Sequence, residues 1–412
     1  MLQNFNMDNS NVKHISSDNV VILRSMKNIS TLSISDCSAS TNCSCSPFAS
    51  LPKNQTASDP LDSYTKPGYI IAHFVEKFIS TDAGQIPVVS RKLNLKDRVS
   101  TLWARAGFTR NNYKIVPGLY AVGEPDQNSE VLVTANFKLT FDILRTNLNE
   151  LNVWILVLNT FGVNVWCAAG KGTFSTQELS RMVKFSGLEK VVKHRRLILP
   201  QLSATGVRAA DVKKLSGFTV IFGPIRASDI QMFIKNGRTA QPYMRHITFD
   251  FKERLILTPI ELNIAFKPAV IAALSILLIS GISPQIFSLK GVWDRGIIAI
   301  ISLLFGILSG TLITPAALPF LPFKSFAAKG VVSGAIFAFC ALFISSAFLL
   351  PLPAIAALYI FGIVVSSWFA MSFTGATPFT SPSGVEKEMK RFIPIQAGGL
   401  LLSLVLWIYS VF

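Results

Sequence analysis

Charge is scarce in this sequence. Only 15% of the 412 residues are Asp, Glu, Lys or Arg, whereas soluble domains carry about 25%. The scarcity is uneven, because residues 268–412 contain seven Lys or Arg and three Asp or Glu, which leaves 32 and 20 for residues 1–267. So little charge over such a long stretch excludes an ordinary, wholly soluble protein. The sequence therefore predicts a soluble front part joined to a membrane domain.

Cysteine is also scarce, and five widely spaced residues exclude a small disulfide scaffold. Three of them, Cys37, Cys43 and Cys45, lie in a stretch rich in Ser, Asn and Asp. Residues 1–66 show no sustained period and are predicted to form a disordered extension. A soft-metal site and a set of unpaired thiols both stay open for these cysteines. The chain lacks the four suitably spaced cysteines of an iron–sulfur cluster.

Five apolar stretches follow Phe266, and most reach the ~20 residues that cross a bilayer. They are Pro268–Ile282, Gly296–Leu318, Gly330–Leu350, Leu352–Phe373 and Ile393–Phe412. Five consecutive segments with so little charge are hard to bury in a soluble core, so five transmembrane helices are predicted. None of the stretches contains an acidic residue, although ionisable groups within the membrane mark most ion pathways. An anchor or a docking domain is therefore favoured over a transporter.

The short loops predict the orientation of these helices. Two basic residues would lie on one side of the membrane, Lys290 and Arg295. Eight would lie on the other side: Lys252, Arg254, Lys267, Lys324, Lys329, Lys387, Lys390 and Arg391. The positive-inside rule then predicts a multi-pass protein of the cytoplasmic membrane, with its front part in the cytoplasm and its C-terminus outside. Residues 1–25 show no apolar segment typical of a secretory signal. The net charge of +16 favours anionic lipid or anionic cofactors as partners, and no aromatic-basic pattern indicates nucleic acid.

Residues 67–258 alternate short apolar runs with helix-like segments. The predicted strands are Val131–Ala135, Val153–Leu158, Leu197–Leu199 and Phe218–Phe222. The predicted helices are Phe141–Leu151, Thr176–Ser186, Val207–Leu215 and Ala227–Asn236. This alternation is typical of a Rossmann-like α/β domain with a parallel sheet, whose ligands bind at the carboxyl ends of the strands. An all-α transmembrane domain of five helices then occupies residues 259–412.

A ligand site is therefore expected just after Leu158. The segment from Asn159 to Thr176 is small, Gly-rich and polar, and it contains the only cysteine of the α/β domain. Ser175 or Thr176 is placed to cap the helix that follows. The segment is not a Walker A loop, because Lys171 is followed by Gly rather than by Ser or Thr. From spacing alone, a phosphate-binding turn and a structural turn stay equally open.

The octapeptide Asn-Val-Trp-Cys-Ala-Ala-Gly-Lys at 164–171 resembles the cap-helix motif of the mercury-methylating corrinoid proteins, the HgcA family. That family is related to the corrinoid subunit of the acetyl-CoA-pathway iron–sulfur protein. Further blocks that resemble the family lie at 117–123, 131–142, 199–202, 216–218 and 223–227. The plan of a soluble corrinoid domain followed by five membrane helices is similar too, so the resemblance runs from Gly68 to the C-terminus. Phe137 and Thr205 depart from the pattern, which has Tyr and Pro there.

The resemblance implies a base-off corrinoid with Cys167 as the lower axial ligand of cobalt, on a helix that caps the ring. None of the four histidines lies in the Asp-x-His-x-x-Gly motif that supplies this ligand in many cobalamin proteins. A cobalt-bound sulfur is a thiolate. The other cofactor-binding residues that the resemblance implies are Asn164, Val165, Trp166, Ala168, Ala169, Gly170, Lys171, Thr134 and Asn136. The plainer alternatives are a buried structural cysteine for Cys167, a core position for Trp166 and a strand-end turn for Thr134 and Asn136.

The activity that the resemblance implies is methyl transfer to inorganic Hg(II), which forms methylmercury. The methyl group would come from methyltetrahydrofolate or a methyl-corrinoid protein and pass through methyl-Co(III), and Hg(II) would arrive as a thiolate complex. A thiolate beneath cobalt donates electron density that suits this transfer. Regeneration of Co(I) needs a low-potential reductant, which in this family is a two-cluster ferredoxin-like protein of the HgcB type.

Two other functions stay open. One is a membrane-anchored corrinoid methyl carrier for one-carbon and acetyl-CoA metabolism that does no mercury chemistry. The other is a membrane transporter or sensor with a cytoplasmic α/β ligand domain, although the absence of acidic residues from the apolar stretches speaks against it.

Overall fold

The structure is a computed structural model that describes residues 73–377, Thr380 and 382–412. The extension predicted over residues 1–66, with Cys37, Cys43 and Cys45, lies outside the described residues. In the described part, an α/β domain is followed by a series of long apolar helices.

A seven-stranded sheet forms the centre of the α/β domain. Its strands are β1 (Val75–Thr81), β2 (Gly84–Val89), β3 (Gly118–Val122), β4 (Val131–Ala135), β5 (Val153–Leu158), β6 (Arg196–Leu199) and β7 (Thr219–Phe222). They lie in the order β1-β2-β3-β5-β4-β6-β7. Strands β4 to β7 are parallel, whereas β3 runs antiparallel to β5 and β1 forms a hairpin with β2. The predicted parallel sheet is confirmed for the four predicted strands, and the structure adds an antiparallel part at one side.

The described part of the α/β domain has seven α-helices, and six of them pack on the two faces of this sheet. The seven helices are α1 (Leu95–Arg105), α2 (Lys138–Thr146), α3 (Val165–Gly170), α4 (Thr176–Phe185), α5 (Leu188–Val191), α6 (Ala209–Ser216) and α7 (Ile230–Lys235). Helices α3 to α6 contribute to one core cluster and α2 and α7 to the other. Because both faces are covered, β4 and β5 are buried at every residue, which explains their continuous apolar sequence.

The predicted helices agree with the structure in position and differ at their ends. The segment predicted from Thr176 is confirmed as α4, and Ser175 caps it by accepting a hydrogen bond from the backbone N–H of Glu178. Helix α2 begins at Lys138 and not at Phe141. Lys138 can lie in this buried first turn because its charge is paired inside the domain.

Five helices of the described part are long and apolar enough to cross a membrane, in agreement with the five predicted. They are α8 (Phe251–Ser280), α9 (Leu289–Leu308), α10 (Phe326–Ile344), α11 (Leu352–Phe373) and α12 (Pro382–Tyr409), and a π-helical turn extends α9. Helix α8 begins well before Pro268, because Asp250 and Glu253 form a capping box at its first turn. It therefore includes Glu253 and Glu261, so the absence of acidic residues holds for the apolar stretches and not for the whole helices.

Small residues bring the apolar helices into close contact. A Cβ atom at Gly330 of α10 would lie 2.5 Å from the Cβ of Ala370 and 2.8 Å from the carbonyl oxygen of Ser366, both in α11. The Ser366 hydroxyl donates to that of Ser309 at 2.9 Å. Close backbone approach and buried hydroxyl contacts are the usual means of holding helices together in a bilayer.

Candidate functional site

The loop after β5 takes a constrained path into α3. Phe161 and Gly162 have φ angles of +56° and +77°, and this left-handed conformation costs a residue with a side chain about 1–2 kcal/mol. Asn136, which is fully buried at the end of β4, stabilises that path. Its Oδ1 accepts hydrogen bonds from the backbone N–H of Thr160 at 3.0 Å and of Gly162 at 2.9 Å, and from the Thr160 hydroxyl at 2.9 Å.

Asn136 is therefore occupied by the loop itself. Its amide nitrogen also lies 3.3 Å from the carbonyl oxygen of Ile115 and 3.5 Å from Oδ1 of Asn159. These contacts fit the plainer alternative that the sequence left open for Asn136, a residue of a strand-end turn. A direct contact of Asn136 with a cofactor stays a prediction, and it would compete with these hydrogen bonds.

Helix α3 has a buried face and an open face. Asn164 caps it, since Oδ1 accepts a hydrogen bond from the backbone N–H of Cys167 at 2.9 Å. The buried face consists of three predicted site residues, which contact the core: Val165, Ala168 and Ala169.

Cys167 lies on the open face of α3, together with Trp166 and Gly170. Trp166 and Gly170 are exposed and Cys167 is half-buried. A Cβ atom at Gly170 would meet no atom within 4 Å, so space is free above the helix at this point. Lys171 follows and is exposed. The open face is therefore the part of the octapeptide that a ligand can reach.

A cavity of about 320 Å³ lies beside the first turn of α3, at the carboxyl ends of β4 and β6. Its lining is largely apolar and includes Thr134, Asn164, Trp166, Pro200 and Ile225. The structure thus brings together Thr134 and the beginning of the octapeptide at the edge of the sheet where parallel sheets bind their ligands. Its size is at the lower end of the range for small-molecule sites.

Arg110 is a site residue that sequence reasoning missed. It lies in a short 3-10 turn (Arg110–Asn112), with its guanidinium 5.3 Å from the centre of the Phe137 ring. Burial lowers the pKa of Arg110, and the charge of Cys167 opposes that shift, so the two side chains are within electrostatic reach. No signal in the sequence connects two residues so far apart along the chain.

Phe161 was missed as well. Its side chain is largely exposed, and it lines a shallow groove of about 550 Å³ with Asn159, Gly172 and Arg181. A large exposed aromatic side chain in a left-handed backbone conformation is unusual, and such residues cluster at ligand sites. The following Gly was a sign of a turn, but nothing in the sequence indicated the orientation of the ring.

Clusters of conventional metal ligands do not occur in the described part of the chain. There, no group of three or more His, Cys, Asp or Glu side chains is placed to hold a metal ion. The cysteines of this part are Cys167 and Cys340, and Cys340 lies in α10.

Known proteins resemble the part of the chain that carries this site. Residues 109–234 match the family described as CO dehydrogenase/acetyl-CoA synthase delta subunit (CdhD). The acetyl-CoA decarbonylase/synthase complex subunit gamma of Methanocaldococcus jannaschii is 33% identical over 129 residues, which are 31% of this chain and 26% of that protein. The subunit of the same name from Methanopyrus kandleri is 33% identical over 128 residues, which are 31% of this chain and 27% of that protein.

A further relative is the corrinoid/iron-sulfur protein large subunit of Moorella thermoacetica, 27% identical over 185 residues, 44% of this chain and 39% of that protein. The chain spans only about a quarter of the length of the two gamma subunits. The range matched by the family contains β3 to β7, Arg110 and Cys167, and the five apolar helices lie outside it. Residues 109–234 thus resemble the CdhD family, and this part of the chain is similar to subunits of acetyl-CoA decarbonylase/synthase and of a corrinoid/iron–sulfur protein.

Proposed function

We propose that the α/β domain binds a corrinoid over the open face of α3 and transfers a methyl group from it to Hg(II). The observation that carries the proposal is the position of Cys167, half-buried on that open face and directly after Trp166, which lines the cavity at the carboxyl ends of β4 and β6. The octapeptide at 164–171 and the homology of residues 109–234 to a corrinoid/iron–sulfur protein support it.

The residues present fit such a cofactor. The Cys167 sulfur would hold the cobalt, and the free space at Gly170 would leave room for a flat ring system. Trp166 presents an apolar surface next to the cavity, whose wall also includes the polar side chain of Thr134. When bound, the corrinoid supplies a cobalt-bound methyl group, which Hg(II), a soft electrophile, accepts together with its bonding electrons.

The side chains around Cys167 have separate tasks in this proposal. Arg110 places a positive charge within electrostatic reach of Cys167, whose sulfur would hold the metal and supply it with electron density. Asn164 orients Cys167 by capping α3, and Asn136 stabilises the loop that leads into the helix. Val165, Ala168 and Ala169 anchor the opposite face of α3 in the core, so they position the ligand without contacting the ring.

The proposal includes partners and a location. The five apolar helices would hold the protein in the cytoplasmic membrane, with the α/β domain in the cytoplasm and the C-terminus outside. Methyltetrahydrofolate or a methyl-corrinoid protein would supply the methyl group. A two-cluster ferredoxin-like protein would supply electrons, since the described residues contain no cluster of metal ligands.

Methylmercury formation tests the proposal. Cells that carry this chain with a two-cluster ferredoxin-like partner are expected to methylate added Hg(II), and Cys167→Ala is expected to abolish the product. Cys340→Ala is the matched control, because Cys340 lies in α10 and away from the site. Equal methylmercury production by the parent chain and the Cys167→Ala chain would contradict the proposal.

A methyl carrier without mercury chemistry is the second candidate. It is favoured by the relatives, several of which are subunits of acetyl-CoA decarbonylase/synthase. An ultraviolet–visible spectrum of the purified protein is expected to show a corrinoid under either function, so its absence would contradict both. Methyl transfer from the loaded protein to Hg(II), compared with transfer to an acetyl-CoA synthase, separates the two.

A further inference from the structure

Helix α1 buries a polar face. Its Asp97 is fully buried, and Oδ1 and Oδ2 accept hydrogen bonds from Nζ of Lys138 at 2.7 Å and from Nη2 of Arg145 at 2.8 Å. The Ser100 hydroxyl lies 2.8 Å from that of Tyr113. The side of α1 that faces the domain is therefore held by charge pairs and hydroxyl contacts.

The opposite side of α1 is apolar and exposed. Leu95 is 76%, Val99 44% and Leu102 67% exposed, and their spacing places them along one line on the helix. Trp103 is 51% and Phe108 64% exposed, and their rings contact edge to face with centres 5.1 Å apart. We refer to these five side chains as the α1 stripe. A helix between a protein core and water has the reverse arrangement, with its apolar side inward, so the α1 stripe indicates an apolar neighbour.

The position of α1 identifies that neighbour. Nδ2 of Asn263 in α8 donates to the carbonyl oxygen of Ala106 at 2.6 Å, directly after the end of α1. A Cβ atom at Gly107 would lie 2.9 Å from the same Nδ2 atom. Lys267, one turn beyond Asn263, is the last charged residue of α8. From Asn263 to Ser280 the helix rises about 26 Å, close to the ~30 Å of a hydrocarbon core. The end of α1 is therefore level with the point where α8 enters the bilayer.

The charges around the α1 stripe agree with that position. Lys92, Lys96 and Arg98 are exposed next to the stripe, whereas the acidic residue of α1, Asp97, is buried. Exposed basic side chains bordering an apolar face are the pattern of helices that lie in the headgroup region of a membrane. Each basic residue near an anionic surface contributes about 1 kcal/mol of attraction.

We propose that the α1 stripe lies in the headgroup region of the membrane leaflet on the side of the α/β domain and binds anionic phospholipid. The domain then has a second membrane contact besides α8, and this contact limits its rotation about that helix. The inference depends on the apolar helices spanning a bilayer and is independent of the cofactor and of mercury.

Photocrosslinking of the full chain tests the contact. The chain with Leu102→p-benzoylphenylalanine is reconstituted into nanodiscs of phosphatidylethanolamine and phosphatidylglycerol, irradiated and analysed by mass spectrometry. The control carries the same substitution at Leu215, a 46% exposed residue of α6 on the other face of the sheet. A phospholipid adduct is expected at 102 and none at 215. An adduct at 102 to a second copy, to another protein or to another segment of the chain, no adduct there, or equal lipid adducts at both positions would overturn the inference.

A charge in the α1 stripe provides a second measurement. Leu102→Glu should keep the thermal midpoint of the parent chain in detergent, because Leu102 is exposed and outside the core clusters. In the same nanodiscs, the backbone amides of Leu95–Arg105 are expected to exchange with deuterium faster in Leu102→Glu than in the parent chain. Equal exchange in the two proteins would contradict a lipid contact.

Discussion

Replacing Asn136 by Ala is expected to weaken the site without touching Cys167. Asn136 Oδ1 accepts three hydrogen bonds from the loop that follows β5. Without it, the buried N–H of Thr160 has no acceptor and the N–H of Gly162 must turn to water. Phe161 then keeps only the hydrogen bond from its N–H to Oδ1 of Asn159, at 3.2 Å, to restrain its left-handed conformation. The Thr160 hydroxyl retains one partner, the carbonyl oxygen of Val163 at 2.7 Å.

The expected loss of stability follows from these contacts. An unpaired buried donor costs about 1–3 kcal/mol, and a half-buried one costs less because water replaces part of the interaction. The N–H of Thr160 is a buried donor and that of Gly162 a half-buried one, so the free energy of unfolding should fall by about 3 kcal/mol. For a domain of this size, that lowers the thermal midpoint by about 6–12 °C. Corrinoid affinity should fall too, because the loop continues directly into the Asn164 cap of α3.

Two assays of the detergent-solubilised full chain check this prediction: thermal unfolding followed by tryptophan fluorescence, and corrinoid titration followed by absorbance. Asn152→Ala is the matched control. Asn152 is exposed before the other end of β5, where its Oδ1 accepts hydrogen bonds from Arg91 at 3.1 Å and from the Glu124 N–H at 3.2 Å. It should lose less stability and keep its corrinoid affinity. Parental stability and affinity in Asn136→Ala would refute the reasoning.

Three further predictions concern the open face, the buried ion pairs and the apolar helices. Gly170→Ala has free space for its methyl group and should gain up to about 1 kcal/mol of stability. If the corrin ring covers α3, the corrinoid affinity of this variant should fall. An unchanged corrinoid titration would exclude that position of the ring. Burial alone would raise the pKa of Asp97, but the hydrogen bonds from Lys138 and His73 and the charges of Lys138 and Arg145 hold that pKa far below its usual value. The stabilisation from this carboxylate is thus complete above its unfolded pKa of about 4 and is lost as pH falls towards the folded pKa. The thermal unfolding midpoint should therefore drop more steeply on acidification in the parent chain than in Asp97→Asn. Parallel curves of midpoint against pH for the two proteins would contradict this. Gly330→Leu should abolish the monodisperse peak in size-exclusion chromatography because its side chain would overlap α11, whereas Gly398→Leu, with no atom within 4 Å of its Cβ, should retain that peak.

The sheet shows which strands could be predicted from apolar patterns in the sequence. The four strands predicted from continuous apolar runs all form, because a strand buried on both faces needs apolar side chains at every position. Strand β1 was not predicted, since it lies at the edge and its Val75–Thr81 sequence mixes apolar, charged and hydroxyl side chains. In the same way, the apolar stretch predicted for α8 began only at Pro268, although the capping box starts the helix at Phe251.

Some features of the site could also be predicted from the sequence and others could not. The octapeptide alone indicated Cys167, and the helical period of α3 explains which of its residues turn to the core and which stay open. Nothing in the sequence indicated that Arg110 approaches Cys167, because the two belong to separate elements that only the folded domain brings together. The three loop hydrogen bonds of Asn136 were unpredictable for the same reason.

Composition and periodicity by themselves therefore determined a charged α/β domain and five apolar helices, because each property is local to a segment, and the resemblance of the octapeptide indicated the candidate ligand. Tertiary structure alone decided which charges meet inside the domain and which apolar side chains remain outside. Helix α1 is the clearest case: its sequence contains both Asp97 and Leu102, and burial of the carboxylate depends on Lys138 and Arg145 from a distant helix. Those charge pairs turn the polar side of α1 inward and leave its apolar side facing outward, while the hydrogen bond from Asn263 to Ala106 joins the end of α1 to α8.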